Sequence, residues 1–392
     1  MRNFQSALTL GLIAALCTGA ALVQTATAQV SASSASTAAP VAYVYVSSTN
    51  PNEVHALSAS LDGTLTQVGS VPSQNAIYHL SVNKKFLFGI DIESNIYTYT
   101  IASKGALKQV AVTAAGKYVP DFDPAVGAGL LQIDETGSSL YAFMFDKELN
   151  TYLASFKIED NGGLEFLGLA DANNAGGQIR VVQNNQFALS SGCAVQVLSS
   201  TLAVITGDIG EFRRESNGYL TLVGTSHDVP QAQSPYQWCP TGGTASDSTG
   251  NIAVGLNLFQ PDQNYNLSQY ALAAYTVNAQ GNLSTTSTRG NMASSAIEPD
   301  VMSISPSGKL LAVGGNGYYQ FFHFNGANPI TKYTGLFNEE DQVREFGWDK
   351  SDHFYLLSGH SLESYDITPT SYKKLAPLPI SAPYSMIVLS LQ

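Results

Sequence analysis

Six charged side chains in this chain sit where they could act together. His79, Arg180, Glu298, Asp300, Arg344 and Glu345 each fall at or just ahead of a short apolar run of strand length, such as Leu80-Ser81-Val82 after His79 or Val301-Met302-Ser303-Ile304 after Asp300. Opening a cyclic ester needs a base to activate water, a cation or N–H for the developing oxyanion and an acid for the leaving oxygen. His79 or Glu298 fits the base, Arg180 or Arg344 the oxyanion partner, and Asp300 or Glu345 the remaining carboxylate. Tyr78, Tyr236 and Trp238 occupy matching positions and suit contact with a bound ring or peptide. A plainer reading stays open, in which these arginines and carboxylates only satisfy one another. A third is a channel that binds a ligand without transforming it. All three need elements that bring distant segments to one centre.

Those elements recur along the chain. Gly63-Thr64-Leu65, Gly105-Ala106-Leu107, Gly218-Tyr219-Leu220 and Gly281-Asn282-Leu283 repeat one hairpin signature, with Gly163-Leu164 as a form one residue shorter. Between them, turns such as Ser305-Pro306-Ser307-Gly308, Asp134-Glu135-Thr136-Gly137, Asp247-Ser248-Thr249-Gly250 and Asp349-Lys350-Ser351-Asp352 separate apolar runs of strand length. Four-stranded units returning in this way predict an all-β, seven-bladed β-propeller. Six blades are expected at 77–115, 127–172, 177–230, 240–292, 299–340 and 343–380, with longer loops at 193–210, 228–241 and 258–268. The seventh is split between Ala42 to Ser70 and the closing run Tyr384-Ser385-Met386-Ile387-Val388-Leu389-Ser390. Pairing that C-terminal strand into the N-terminal blade shuts the ring and removes two exposed sheet edges.

The first 28 residues read as a signal peptide: Arg2, an apolar run from Ala7 to Leu22, and Ala26-Thr27-Ala28 ahead of Gln29. Leu16 is bulky where lipid attachment at Cys17 would want a small residue. A disordered Ser/Ala linker follows at 29–40, and 41–392 is expected to be a single domain. Without the leader the chain carries 17 basic and 30 acidic residues, a balance of −13. Such a surface argues against nucleic acid and anionic membranes as partners. Secretion, periplasmic or extracellular, is therefore expected, with no membrane insertion after the leader is removed and with the closed ring as a monomer. In an oxidising compartment Cys193 and Cys239 are expected to form a disulfide, with two buried thiols as the alternative.

No metal site is assigned. Asp121-Phe122-Asp123 and Asp262-Gln263-Asn264 lack the glycine and closing glutamate of a calcium loop. A calcium ion in the channel is left open, and no other cofactor is expected. Phe212-Arg213-Arg214-Glu215 reads as a solvated, salt-bridged edge, with Arg213 and Glu215 on one side and Arg214 on the other. Neither a phosphate loop nor a nucleophile elbow occurs.

The stretch Pro299-Asp300-Val301-Met302-Ser303-Ile304-Ser305-Pro306-Ser307-Gly308-Lys309-Leu310-Leu311 resembles the blades of the lactonase-like propellers, the superfamily of 6-phosphogluconolactonase and carboxymuconate cyclase. Asp300 stands where that family writes a histidine, while Tyr78-His79 keeps the imidazole without the preceding proline. The resemblance implies a central channel in which histidine, arginine and glutamate act. The expected function is a secreted propeller that binds a small molecule, a glycan or a secreted or surface protein at the channel mouth. The alternative is a lactone hydrolase or cycloisomerase acting on a sugar or aromatic lactone.

Overall fold

A computed structural model describes residues 39–124, 128–172, 178–199, 202–227, 237–247, 249–259, 267–339 and 341–391. The expected leader and nearly all of the linker lie outside these residues, as do Tyr236 and most of the expected loops at 228–241 and 258–268.

The strands form seven antiparallel sheets, each a blade. Blade 1 joins Ala42–Thr49, Asn52–Ala59 and Leu65–Pro72 to the C-terminal strand Pro383–Ser390. Blades 2 to 7 span 77–114, 128–171, 179–227, 237–295, 301–338 and 345–379. In blade 1 the C-terminal strand is innermost and pairs with Ala42–Thr49, from Ala42 opposite Ser390 to Ser47 opposite Ser385. The ring is closed as the sequence predicts.

The second strand of each blade has a neighbouring blade on both faces, so it reads as a nearly unbroken apolar run. Phe86–Asp91 (FLFGID) and Leu310–Gly315 (LLAVGG) are buried throughout. Outer strands meet solvent and turn polar: in Leu107–Ala114, Lys108, Gln109, Val110 and Val112 are exposed. Among the described residues the apolar core divides into seven clusters, one at each seam. Phe86, Phe88 and Ile90 of blade 2 pack on Leu140 and Phe156 of blade 3, for example. Each fully buried aromatic or aliphatic side chain contributes about 1.5–3 kcal/mol before entropy is counted.

The hairpin glycines have a seam role. Gly105 of blade 2 holds φ +83°, and a Cβ there would lie 2.5 Å from Cδ1 of Tyr43, near the start of the second strand of blade 1. In blade 3 the matching residue is Gly162 (φ +88°), set against Phe86 and Thr98 of blade 2. The signature there is thus the full-length Gly162-Gly163-Leu164, and not the shorter form beginning at Gly163.

Two other expectations change. The described residues within 193–210 are not a loop but the far part of two long paired strands, Phe187–Ser199 and Leu202–Arg214. Arg214 is not on a solvated edge. It crosses the seam to the fully buried Asp134 of blade 3, 2.8 Å away, because Asp134 needs a cation beside the backbone N–H groups of Ser138 and Ser139 that it already accepts. Arg213 is exposed as expected. Cys193 and Cys239 are disulfide-bonded, with Cα atoms 5.3 Å apart, tying the second strand of blade 4 to the inner strand of blade 5.

Candidate site in the central channel

The innermost strands surround an axial cavity of about 760 Å³ lined by His79, Gln132, Gln178, Arg180, Glu345 and Met386, among others. It reaches from this layer to the inner-to-second-strand turns at Asn83-Lys84-Lys85 and Asp134–Ser138. A second lobe of about 500 Å³ lies on the same face, against Ser303, Ser305 and Trp348. The polar layer is therefore reached from the turn side.

Bulges set this layer. In blade 2 Ile77 pairs with Asp91 and His79 with Ile90, leaving Tyr78 extra; in blade 1 Ser47 pairs with Ser385 and Ser48 with Pro383, leaving Tyr384 extra. A bulge re-aims the side chains beside it and is common next to functional sites. The two extra tyrosines pack edge to face at 4.6 Å, and the Arg344 guanidinium lies 4.9 Å from the Tyr384 ring centre.

His79, Arg180 and Glu345, from blades 2, 4 and 7, come together. His79 Nε2 is 3.5 Å from Glu345 Oε1, and each side chain shows about a fifth of its surface, 18% and 21%. Nδ1 of His79 accepts the Leu131 N–H at 3.1 Å, so the neutral ring carries its proton on Nε2, toward Glu345. Burial, aided by the Arg180 charge, lowers His79 to about 3 and keeps it neutral. On Glu345, Oε2 accepts the Ser385 hydroxyl at 2.9 Å and the Met386 N–H. Burial still outweighs those donors and Arg180, and raises Glu345 to about 8.

Arg180 is held by neutral acceptors. Nε and Nη2 donate to the Thr244 carbonyl at 2.9 and 2.7 Å, Nη1 to Gln132 Oε1 at 3.3 Å, and Nη2 also to Gln178 Oε1. Its interaction with Glu345 is through space, without a contact inside ion-pair distance. Burial lowers Arg180 to about 10, leaving it charged at neutral pH. Among the described residues no carboxylate directly contacts this guanidinium, which lies beside a carboxyl group whose proton affinity is raised.

The other candidates fall elsewhere. Glu298 accepts Asn257 Nδ2 at 3.2 Å and the Tyr270 hydroxyl at 3.4 Å between blades 5 and 6. Partial burial and the neighbouring Glu298 raise Asp300, whose residue remains exposed. Neither carboxylate lines the axial cavity, and neither do Tyr78 and Arg344. Trp238 is 2% exposed and packs in the seam of blades 4 and 5, so its ring is not offered to a ligand. Ser385, Gln132 and Gln178 escape the sequence reading. The only hint is Ser385 itself, a hydroxyl set beside the apolar run Met386-Ile387-Val388-Leu389. Among the described residues no three His, Cys, Asp or Glu side chains gather as a metal would require.

No protein-family model matches the sequence, and no curated protein does. Solved structures do. A "putative 6-phosphogluconolactonase" of Bacteroides fragilis superposes with a TM-score of 0.63 at 11% identity, covering 91% of this chain and 100% of its own. One of the same description from Bacteroides uniformis gives 0.62 at 12%, covering 89% and 99%. This is the lactonase-like seven-bladed propeller fold. A functionally unknown protein of Desulfotomaculum acetoxidans gives 0.63 at 11%, covering 89% of this chain and 99% of its own. At such identities the likeness establishes the lactonase-like architecture alone, and the chemistry rests on the side chains in the channel.

Proposed function

We propose that the protein is a secreted propeller that binds a small lactone in its axial channel and opens it with water. The observation that carries this is the meeting of His79, Arg180 and Glu345 at the inner end of an open cavity, with no carboxylate among the described residues in direct contact with the Arg180 charge. Glu345 Oε1 takes a proton from water as the water oxygen bonds to the lactone carbonyl carbon. Arg180 stabilises the resulting oxyanion. The ring C–O bond then breaks, and the proton on Glu345 passes to the leaving oxygen, giving a hydroxy acid. His79 serves differently from the sequence reading. Its acceptor nitrogen is occupied by Leu131, so it orients Glu345 through Nε2–H and does not itself act as base. Export is supported by the apolar run and the Ala26-Thr27-Ala28 site. Among the described residues no helix is long and apolar enough to cross a membrane.

The test is turnover of a panel of sugar and aromatic lactones, with calcium present and chelated. Glu345→Gln is expected to lower kcat by about 10²–10⁴-fold, and Arg180→Gln by about 10²-fold or more. Because Glu345 must be ionised to act, the wild-type rate should rise with pH through about 8. Absence of turnover on every lactone would reject the reaction and leave a binding propeller, to be pursued by calorimetry with glycans.

A further inference from the structure

The channel carboxyl group is held by the strand that closes the ring. Ser385 is 1% exposed, with its N–H and its hydroxyl both hydrogen-bonded. Its N–H donates to Ser47 Oγ at 3.0 Å, and Ser47 in turn donates to the Ile77 carbonyl at 2.9 Å. Ser385 Oγ accepts the Leu80 N–H at 3.0 Å, which turns its own proton toward Glu345 Oε2 at 2.9 Å. The next residue, Met386, donates its N–H to the same oxygen. With two donors on Oε2, the proton that Glu345 exchanges belongs on Oε1, the oxygen facing His79. The bulge at Tyr384 makes this register, since it places Ser385 opposite Ser47 while Pro383 pairs with Ser48.

We propose that Ser385 is a positioning residue that orients the Glu345 carboxyl group and selects Oε1 as its reactive oxygen, so that closing the ring and assembling the site are one event. This rests on the reading of Glu345 as the proton-carrying group of the channel. The charged and titratable groups facing Glu345 are His79 from blade 2, Arg180 from blade 4, and Tyr384 with Arg344 over its ring. None of them replaces a donor to Oε2.

The test follows the Glu345 carboxyl carbon by NMR in the full chain labelled with 13C-glutamate, the resonance being identified by its loss in Glu345→Gln. Removing the hydroxyl in Ser385→Ala withdraws a donor from the ionised form, so the titration midpoint should rise by about one unit. Restoring a hydroxyl in Ser385→Thr should bring it back. A midpoint unmoved by Ser385→Ala would overturn the proposal. Should these variants not fold, the wild-type protein decides it, because the Met386 amide proton must titrate with the Glu345 midpoint and a flat Met386 signal overturns the register. Neither readout needs a substrate. A protein without lactone turnover but with these shifts would lose the proposed reaction and keep the role of Ser385, whereas turnover with an unmoved midpoint would do the reverse.

Discussion

At the seam of blades 1 and 2, Gly105 presses its bare Cα against Tyr43, and Gly162 does the same against Phe86 one seam along. At the axis, the same blades contribute unlike things: a bulged Tyr78-His79 from blade 2, Gln132 from blade 3, Arg180 from blade 4, Glu345 from blade 7 and Ser385 from the closing strand. The seams repeat because each blade must bury the same kind of sheet face on its neighbour. At the axis the repeat is broken, and polar groups are brought where burial shifts their proton affinities. Stability is thus spread around the ring in equivalent portions, whereas the polar groups of the channel are gathered from several blades at once. Damage to a seam should cost stability in proportion to its own contacts, and damage to the closing strand should cost both.

The sharpest test removes the closing strand. Deleting residues 384–392 strips Met386 and Leu389 from the two seams flanking blade 1 and bares the inner edge of Ala42–Thr49. The loss should exceed a total stability on the order of 5–15 kcal/mol, leaving no cooperative thermal transition by circular dichroism. A soluble truncation that melts cooperatively would break the comparison, since closure would then be dispensable.

Next comes the seam of blades 4 and 5, which carries a covalent tie as well as packing. Reducing Cys193–Cys239, which are 46 residues apart, should cost about 4 kcal/mol in the chain-entropy account. Calorimetry with and without reductant checks it, and an unchanged Tm would mean that the packing alone holds this seam.

A smaller effect separates glycines that serve seams from those that do not. Gly105→Ala must place a Cβ 2.5 Å from Tyr43 Cδ1 at φ +83° and should cost about 2–4 kcal/mol in denaturant titration, from the backbone conformation and the overlap together. Gly69→Ala, with no atom within 4 Å of the new Cβ, should change stability by less than about 0.5 kcal/mol. Equal costs would deny the seam its role.

The mildest probe is pH. At the seam of blades 7 and 1, His353 Nδ1 lies 2.8 Å from the fully buried Asp349, and that hydrogen bond raises the imidazole pKa above its usual 6.5. The protonated form is favoured in the folded state, so this stabilisation is complete below about pH 6.5 and is lost as pH rises through the higher folded value. Tm should fall over that window in the wild type, and the fall should be shallower in His353→Gln. A parallel profile in both would assign the titration elsewhere.

Local pattern made the blades legible. The expected bounds of 77–115 and 343–380 meet observed ones of 77–114 and 345–379, because apolar runs and glycine turns report backbone preferences that act over a few residues. Where contacts are distant, the reading failed. The Gly192-Cys193 and Thr206-Gly207 surroundings resemble loops, yet they lie in the two paired 13-residue strands of a hairpin. Nothing near Arg214 signals a buried carboxylate from blade 3.

The candidate site divides in the same way. Residue type and position alone nominated six charged groups, among them the three that meet, and placed each near the start of an inner strand. Bringing His79, Arg180 and Glu345 together while leaving Glu298, Asp300 and Arg344 outside, occupying the acceptor nitrogen of His79, and recruiting Ser385 from the closing strand depended on bulges, hydrogen bonds and burial between segments as much as 338 residues apart, as Ser47 and Ser385 are. A repeat is written in each blade separately, so sequence determined the seven-bladed ring. The proton chemistry at its axis is set by the field and desolvation that several blades impose together, and these exist only once the ring is closed.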